Sequence, residues 1–338
     1  MKELIITMAK LCLNVVSNIT ESSKKYAGRR MLSAEKWETQ FSQWAQPPGD
    51  TEKEKIENAI RAVRSAMNDD AKLSTITKVY VQGSYRNRVN VRQESDVDIG
   101  VLYTGNSFFE DYPEGMSRSD FGNISGDLDY PDFKNMVESA LVNKFGRASV
   151  KRGNKAFDIH ANSYRIDADV VPQFIHRRYE KNGTYICGVQ FYSDDGIKVI
   201  NWPERVYDSN EWPDQHYENN VKKNELTSKR YKGVVRILKK LKYEMSANGK
   251  SSADAVPGFL IECLVWNVPN QYFMADTWYE RLQNALIYIW SNTKMIETCN
   301  TWGEVSELKY IFRGSPISKL NEAHAFIYDA WSYVGVSP

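Results

Sequence analysis

The chain has 338 residues, more than one hydrophobic core usually organises, so two domains or one domain with a large lobe are expected. Its 44 basic and 43 acidic residues leave a formal charge of +1, which excludes a uniformly basic nucleic-acid-coating protein but leaves room for a local basic groove. The 4 cysteines (Cys12, Cys187, Cys263, Cys299) and 4 histidines are dispersed, which excludes zinc sites of CxxC or HExxH spacing and suits a reducing cytoplasm; no apolar run is long enough to span a bilayer.

Residues 4–16 are apolar but interrupted by Lys10 and Asn14, and no small-residue cleavage site follows. An amphipathic helix is expected there rather than a secretory signal. Met31 offers a second start, which would make residues 1–30 an extension. Pro47-Pro48-Gly49 breaks the chain, and Thr51 with Glu54 reads as a capping box opening a helix. Ile56, Ile60, Val63 and Met67 give that helix one apolar stripe, and Asn68-Asp69-Asp70 ends it.

Residues 75–81 alternate and are rich in β-branched side chains, so they predict a strand. The strand runs into a turn at Gln82-Gly83-Ser84-Tyr85. A second strand is expected at 96–103, with Val97, Ile99 and Val101 on one face. Residues 104–127 are rich in Gly, Ser and Asp and read as a surface loop. Pro131 then suits the first turn of a helix with Phe133, Met136, Val137, Ala140, Leu141 and Phe145 on its apolar side. Strands follow at 156–161 and 164–171, the second stopped by Pro172. Beyond about residue 200 helices dominate, at 225–246, 257–267, 274–293 and 317–334. The order predicts an α+β core followed by a helical lobe. The expected division is an N-terminal helical segment over 1–50, a core over 51–204 and a helical lobe over 205–338.

The chemistry concentrates in three aspartates. Residues two apart on a strand share a face, so Asp96 and Asp98 project together while their apolar neighbours enter the core. Two adjacent carboxylates repel unless a cation lies between them. Mg²⁺ takes oxygen ligands and leaves positions open for substrate phosphates. Asp169, in Asp167-Ala168-Asp169-Val170-Val171-Pro172, is the candidate third ligand, and Asp167 shares its face, so spacing does not choose between them. Two such ions would clamp the attacking and leaving oxygens of a phosphoryl transfer. Gly83-Ser84 adds a turn whose backbone N–H groups can approach a phosphate; no Walker A motif is present.

Several other features carry no site. Residues 127–138 mimic an EF-hand loop, but Asp132 stands where glycine is needed and Pro131 at a ligand position, so a helix N-terminus is the better reading. Ser193-Asp194-Asp195-Gly196 reads as a hairpin turn. His160 and His176 read as structural or solvated. Lys232, Arg236, Lys239 and Tyr243 form a stripe at three- and four-residue spacing, which on spacing alone is a solvated basic face.

The stretch GSYRNRVNVRQESDVDIGV closely resembles the GS and DxD signature of the polymerase-β-like nucleotidyltransferases. RIDADVVPQF resembles the third-carboxylate strand of the branch holding 2′,5′-oligoadenylate synthase and cyclic GMP–AMP synthase. With WAQPPGDTEKEKIENAI and VVRILKKLK, the chain is most similar to the bacterial cGAS/DncV-like nucleotidyltransferases of anti-phage signalling, over roughly residues 40–270.

The resemblance implies a polymerase-β-like core and a helical lobe with a nucleotide cleft between them. It selects Asp169 over Asp167 through the Val-Val-Pro that follows. It implies catalysis and metal binding by Asp96, Asp98 and Asp169, nucleotide contacts from Gln82, Gly83, Ser84 and Tyr85, and a triphosphate contact from Lys239. Two Mg²⁺ ions, replaceable by Mn²⁺, would be the cofactors and nucleoside triphosphates the substrates. The product would be a cyclic di- or trinucleotide, made with release of pyrophosphate and read by an effector protein of the same defence system. Gly258 departs from the pattern, since relatives often carry serine there, which would shift that contact to backbone, Ser251 or Ser252. The Cys/His insertion of the animal DNA sensor is absent, which argues against direct activation by DNA. Two other readings remain at this level: a linear oligonucleotide synthase or small-molecule nucleotidyltransferase, and a catalytically silent nucleotide or RNA sensor.

Overall fold

The computed structural model describes residues 34–91, 96–202 and 215–335. The expectations for residues 4–16 and for Met31 lie outside these. The chain folds as two compact units. The first takes Pro47–Lys232 with Gly303–Ile311; the second takes 34–46, Gly233–Trp302 and 312–335. Helix α1 (34–44) belongs to the second unit.

In the first unit, α2 (Asp50–Asn68) and the short α3 (Leu73–Ile76) lead into β1 (Thr77–Val81). A single helical turn, α4 (Gly83–Arg86), separates β1 from β2 (Val97–Tyr103). There follow β3 (Phe108–Asp111), α5 (Tyr130–Phe145), β4 (Val150–Arg152), β5 (Phe157–Ile159), the long β6 (Ala168–Tyr179), β7 (Tyr185–Tyr192), β8 (Lys198–Asn201) and α6 (Gln215–Leu226). The strands form one mixed sheet in the order β1-β2-β6-β5-β4, with β3 and β7 also on β6 and β8 on β7. The α+β class is as expected.

The stripe of α2 (Ile56, Ile60, Val63, Met67) and that of α5 (Phe133, Val137, Ala140, Leu141) pack on one sheet face against Val97, Ile99, Val101, Val170 and Phe157. The opposite face carries a smaller cluster of Tyr80, Leu102, Ile175, Cys187 and Val189. The helices thus lie on one side, and β2 offers Asp98, Gly100 and Leu102 to the other.

Four local expectations need correction. Helix α2 begins at Asp50 with Gly49 as its extended N-cap and no side-chain cap, so Thr51 already lies inside the helix. Asp50 and Glu52 in its first turn favour the helix dipole instead. The loop 104–127 contains β3, which pairs in parallel with Ile175–Arg178 of β6. Pro172 does not stop β6. It falls between the stretch paired with β5, which ends at Val170, and that paired with β7, which begins at Phe174, so the missing N–H costs no ladder bond on that edge. Finally, 225–246 is not one helix. Ser228 and Lys229 both have positive φ (50° and 64°), which ends α6, and the Thr227 hydroxyl accepts the Tyr231 N–H at 3.1 Å to start α7 (Tyr231–Ala247).

The other readings stand. Asp129 caps α5, accepting the Asp132 N–H at 2.8 Å with Pro131 in the first turn, so the EF-hand-like run is a helix start. Ser193–Gly196 turns β7 into β8, its Ser193 N–H bonded to Ile197 O. His176 is fully buried beside Gln190, 2.9 Å from Nδ1, and Asp111.

The second unit is helical: α7, α8 (Ser251–Ala255), α9 (Gly258–Trp266), α10 (Trp278–Asn292), α11 (Ile296–Cys299) and α12 (Ile317–Tyr333), joined by α1. Thr277 and Glu280 form a capping box at the start of α10, and Glu38 of α1 accepts the Trp278 and Tyr279 N–H groups at 3.0 and 2.8 Å. Gly233 leaves room for the Trp278 ring, which a Cβ there would meet at 2.4 Å.

Candidate active site

The register of β2 and β6 decides where the acids go. The two strands are parallel, and Asp98 lies opposite Asp169. On the other side of β6, antiparallel β5 places Asp158 opposite the same Asp169. Directly opposed residues share a face about 5 Å apart, so Asp98, Asp169 and Asp158 make a row across three adjacent strands. Asp96 stands one residue ahead of β2 at the solvent-facing end of this group. Asp167 is used differently: its carboxylate accepts the Ala161 N–H at 2.6 Å and closes the β5–β6 turn.

The turn after β1 lies against the row. Gln82 donates its backbone N–H to the Asp98 carbonyl at 3.0 Å, and Gly83 follows with φ +68°. A Cβ on Gly83 would stand 2.1 Å from Asp98 Oδ2, so only glycine lets the turn approach this closely. Ser84 opens the helical turn, and its carbonyl accepts N–H groups from Val89 and Asn90 at 2.9 and 3.0 Å. Tyr85 packs its ring on the main core. Burial, then the Glu57 charge, raises its pKa above the ordinary value.

The electrostatics follow from crowding. Burial pushes the Asp169 carboxyl up to about 6, helped by the charges of Asp96 and Asp158 and a hydrogen bond with Asp158. Asp96 is also raised, by partial burial and then by Asp167 and Asp158. Each direction is that of carboxylates short of positive charge. Among the described residues, no three Asp, Glu, His or Cys side chains close around one point as a preformed cation cage. The donor set fits a cation that keeps water and substrate oxygens: it is all oxygen, strand-mounted and mutually repulsive.

Residues 218–335 match the cGAS/DncV-like nucleotidyltransferase C-terminal helical domain. The chain is 42% identical over 299 residues to a cyclic dipyrimidine nucleotide synthase, CdnE, of Cecembia lonarensis, covering 88% of this chain and 98% of that one. It is 39% identical to the protein of the same name from Legionella pneumophila, again covering 88% and 98%. A solved CdnE cyclic dinucleotide synthase of Elizabethkingia meningoseptica, with GTP and Apcpp, superposes with a TM-score of 0.70 at 33% identity, over 88% of this chain and 99% of that one. The chain belongs to the cGAS/DncV-like nucleotidyltransferases. It is an enzyme of nucleotidyl transfer, and its core with a C-terminal helical domain is the family's architecture.

Lys239 of this nucleotidyltransferase stands in the helical unit. It is buried, not part of a solvated face, as are Lys232 and Arg236. Its Nζ lies 3.5 Å from Glu262 Oε2, and its aliphatic stem runs past Gly258, where a Cβ would meet Cε at 3.7 Å. Arg236 donates twice to the Ala45 carbonyl, once at 2.7 Å, and burial holds its pKa down to about 10. Ser252 gives its hydroxyl to Asp329 at 2.6 Å, so it is spent inside the helical unit, while Ser251 is exposed.

Two polar residues of this face went unread in the sequence. Asp158 could have been found, because Phe157-Asp158-Ile159 repeats the apolar-acid-apolar pattern of β2. Gln173 could not, since nothing marks the residue after Pro172 as polar and buried.

Among the described residues, no helix is long and apolar enough to cross a membrane.

Proposed function

We propose that this enzyme joins two pyrimidine nucleoside triphosphates into a cyclic dinucleotide, with release of pyrophosphate. The observation that carries the transfer chemistry is the register that sets Asp98 beside Asp169 with Gly83 packed on Asp98. The base class is supported by the names of the Cecembia and Legionella relatives, both cyclic dipyrimidine nucleotide synthases. A role as second messenger in anti-phage defence, read by a separate effector, rests on the family resemblance.

Asp96, Asp98 and Asp169 are the residues we assign to Mg²⁺. When bound, the ions supply Lewis-acid stabilisation of charge on the triphosphate and on the attacking oxygen. The chain's own contribution is positional and protonic. The backbone N–H groups of the Gly83-Ser84 turn hold phosphate oxygens. Asp169 receives the proton of the attacking ribose hydroxyl as the new O–P bond forms and the bond to the pyrophosphate oxygen breaks. A carboxylate raised toward neutrality suits that acceptance. Repeating the transfer within the linear intermediate closes the ring.

The test is incubation with Mg²⁺ and the four nucleoside triphosphates, singly and in pairs, then phosphatase digestion and mass spectrometry. A phosphatase-resistant product containing two pyrimidine nucleotides is expected. A product degraded by phosphatase would mean a linear synthase. Nucleotide binding without turnover in Mg²⁺ or Mn²⁺ would mean a silent sensor.

A further inference from the structure

A buried polar floor lies on the same sheet face as the carboxylates, farther along β2 and β6. Gln173 has no exposed surface, and Tyr80 is 7% exposed. The Tyr80 hydroxyl donates to Gln173 Oε1 in a short bond, and Gln173 Nε2 donates to Gln82 Oε1 at 2.9 Å. Tyr80 Oη is also 3.4 Å from Gln82 Oε1. Gly100 clears the space for this contact. A Cβ there would stand 2.4 Å from the Tyr80 ring and 2.8 Å from Gln173 Oε1.

The chain of donors has one direction. A phenol carries one hydrogen, an amide carbonyl only accepts, and an amide nitrogen only donates. With Tyr80 donating to the Gln173 carbonyl, the Gln173 nitrogen must face Gln82, and so the Gln82 carbonyl must face inward. The reversed Gln82 would oppose two amide nitrogens. Gln82 Nε2 is thereby turned away from the floor, and among the described residues no acceptor takes its hydrogens. Gln82 is also the N-cap of the Gly83-Ser84 turn, tied by its backbone to Asp98.

We propose that Gln173, with Tyr80, is a positioning residue that locks the Gln82 amide with its two N–H donors toward the substrate, where they take an acceptor oxygen of the bound nucleoside triphosphate. This rests on the nucleotidyltransferase reading of the Gly83-Ser84 turn. Gln82 touches substrate; Gln173 acts only through it. Fixing the amide in advance removes the cost of orienting it when substrate arrives, so the effect belongs in KM more than in kcat.

The experiment is a mutant cycle on the full chain, reading KM and kcat for product formation, with far-UV circular dichroism as the folding control. Tyr80→Phe removes one oxygen and leaves the packing; KM is expected to rise about 3-fold. Gln173→Met together with Tyr80→Phe makes the floor apolar at similar volume and frees the Gln82 amide; KM should rise about 10-fold with kcat within about 2-fold. Gln82→Ala should match the latter, and combining it with the apolar floor should add nothing further. Unchanged KM in Tyr80→Phe, or a floor effect that persists undiminished in the Gln82→Ala background, overturns the proposal. Absence of product from the unaltered enzyme would instead overturn the reading of the reaction itself.

Discussion

In β2 the alternation that sends Val97, Ile99 and Val101 into the core leaves Asp98 half-exposed on the other face, free to meet a ligand. In α7 the spacing of Lys232, Arg236 and Lys239 likewise gathers charge on one side, but that side is buried. Period-two and period-3.6 patterns both report which residues share a face. Neither reports whether another segment covers it. For α7 the cover includes Ala45, nearly two hundred residues away, whose carbonyl takes Arg236, and Glu262 beside Lys239. Charges on the strand are arranged to repel and await a cation, whereas charges on the helix are already answered within the fold.

The largest effect should come from breaking the strand side. Asp98→Asn removes one acid from the row and one ligand from the proposed metal site, so product formation should fall on the order of 10³-fold or more. Because the change relieves repulsion with Asp169, the metal-free melting temperature should hold or rise. A folded Asp98→Asn enzyme with near-normal pyrophosphate release would sink the assignment.

Gly83→Ala should follow. The added Cβ faces Asp98 Oδ2 at 2.1 Å and the residue keeps a positive φ, so either the carboxylate or the turn must move. A displacement of that size costs about 10²-fold in rate, with roughly 1 kcal/mol of backbone strain. Rate assays and thermal melting would separate the two; a rate within about twofold of normal would mean the contact is slack.

These residues also show what the sequence can and cannot carry. Asp96, Asp98 and the apolar face of β2 were legible because sheet alternation is local and strict. The two stripes of α2 and α5 were legible for the same reason at helical period. Three things depended on partners the sequence does not display. Continuation of β6 through Pro172 depends on a gap between β5 and β7. Burial of β3 depends on β6, since Phe108-Phe109-Glu110-Asp111 has no alternation of its own. The choice of Asp169 needed either a resemblance or the register, which sets Asp169 beside Asp98 while Asp167 is taken up by Ala161.

The helix side of the comparison breaks differently. Lys239→Met leaves Glu262 buried without its cation, which should cost about 3 kcal/mol of stability. Adding Glu262→Gln should return most of it. A role for Lys239 in holding the triphosphate would show as a raised KM that this second change does not repair. Full recovery of both stability and KM in the double variant would make Lys239 a structural cation and nothing more.

The smallest effect is electrostatic and tests the repulsion in the row directly. Asp169 sits at about 6 in the folded chain against an ordinary 3.8, so the fold holds that proton more tightly than the unfolded chain does. Its contribution to stability is therefore full below the ordinary value and is lost as pH rises through about 6. In EDTA, the melting temperature of the unaltered protein should fall relative to Asp169→Asn between about pH 5 and about pH 7, by a few degrees at most because the group is partly solvated. Mg²⁺ added at the higher pH should close that gap, since a bound cation replaces the missing proton. A gap that is the same at both pH values, or that Mg²⁺ leaves untouched, would show that the row is not under the strain that makes it a cation site.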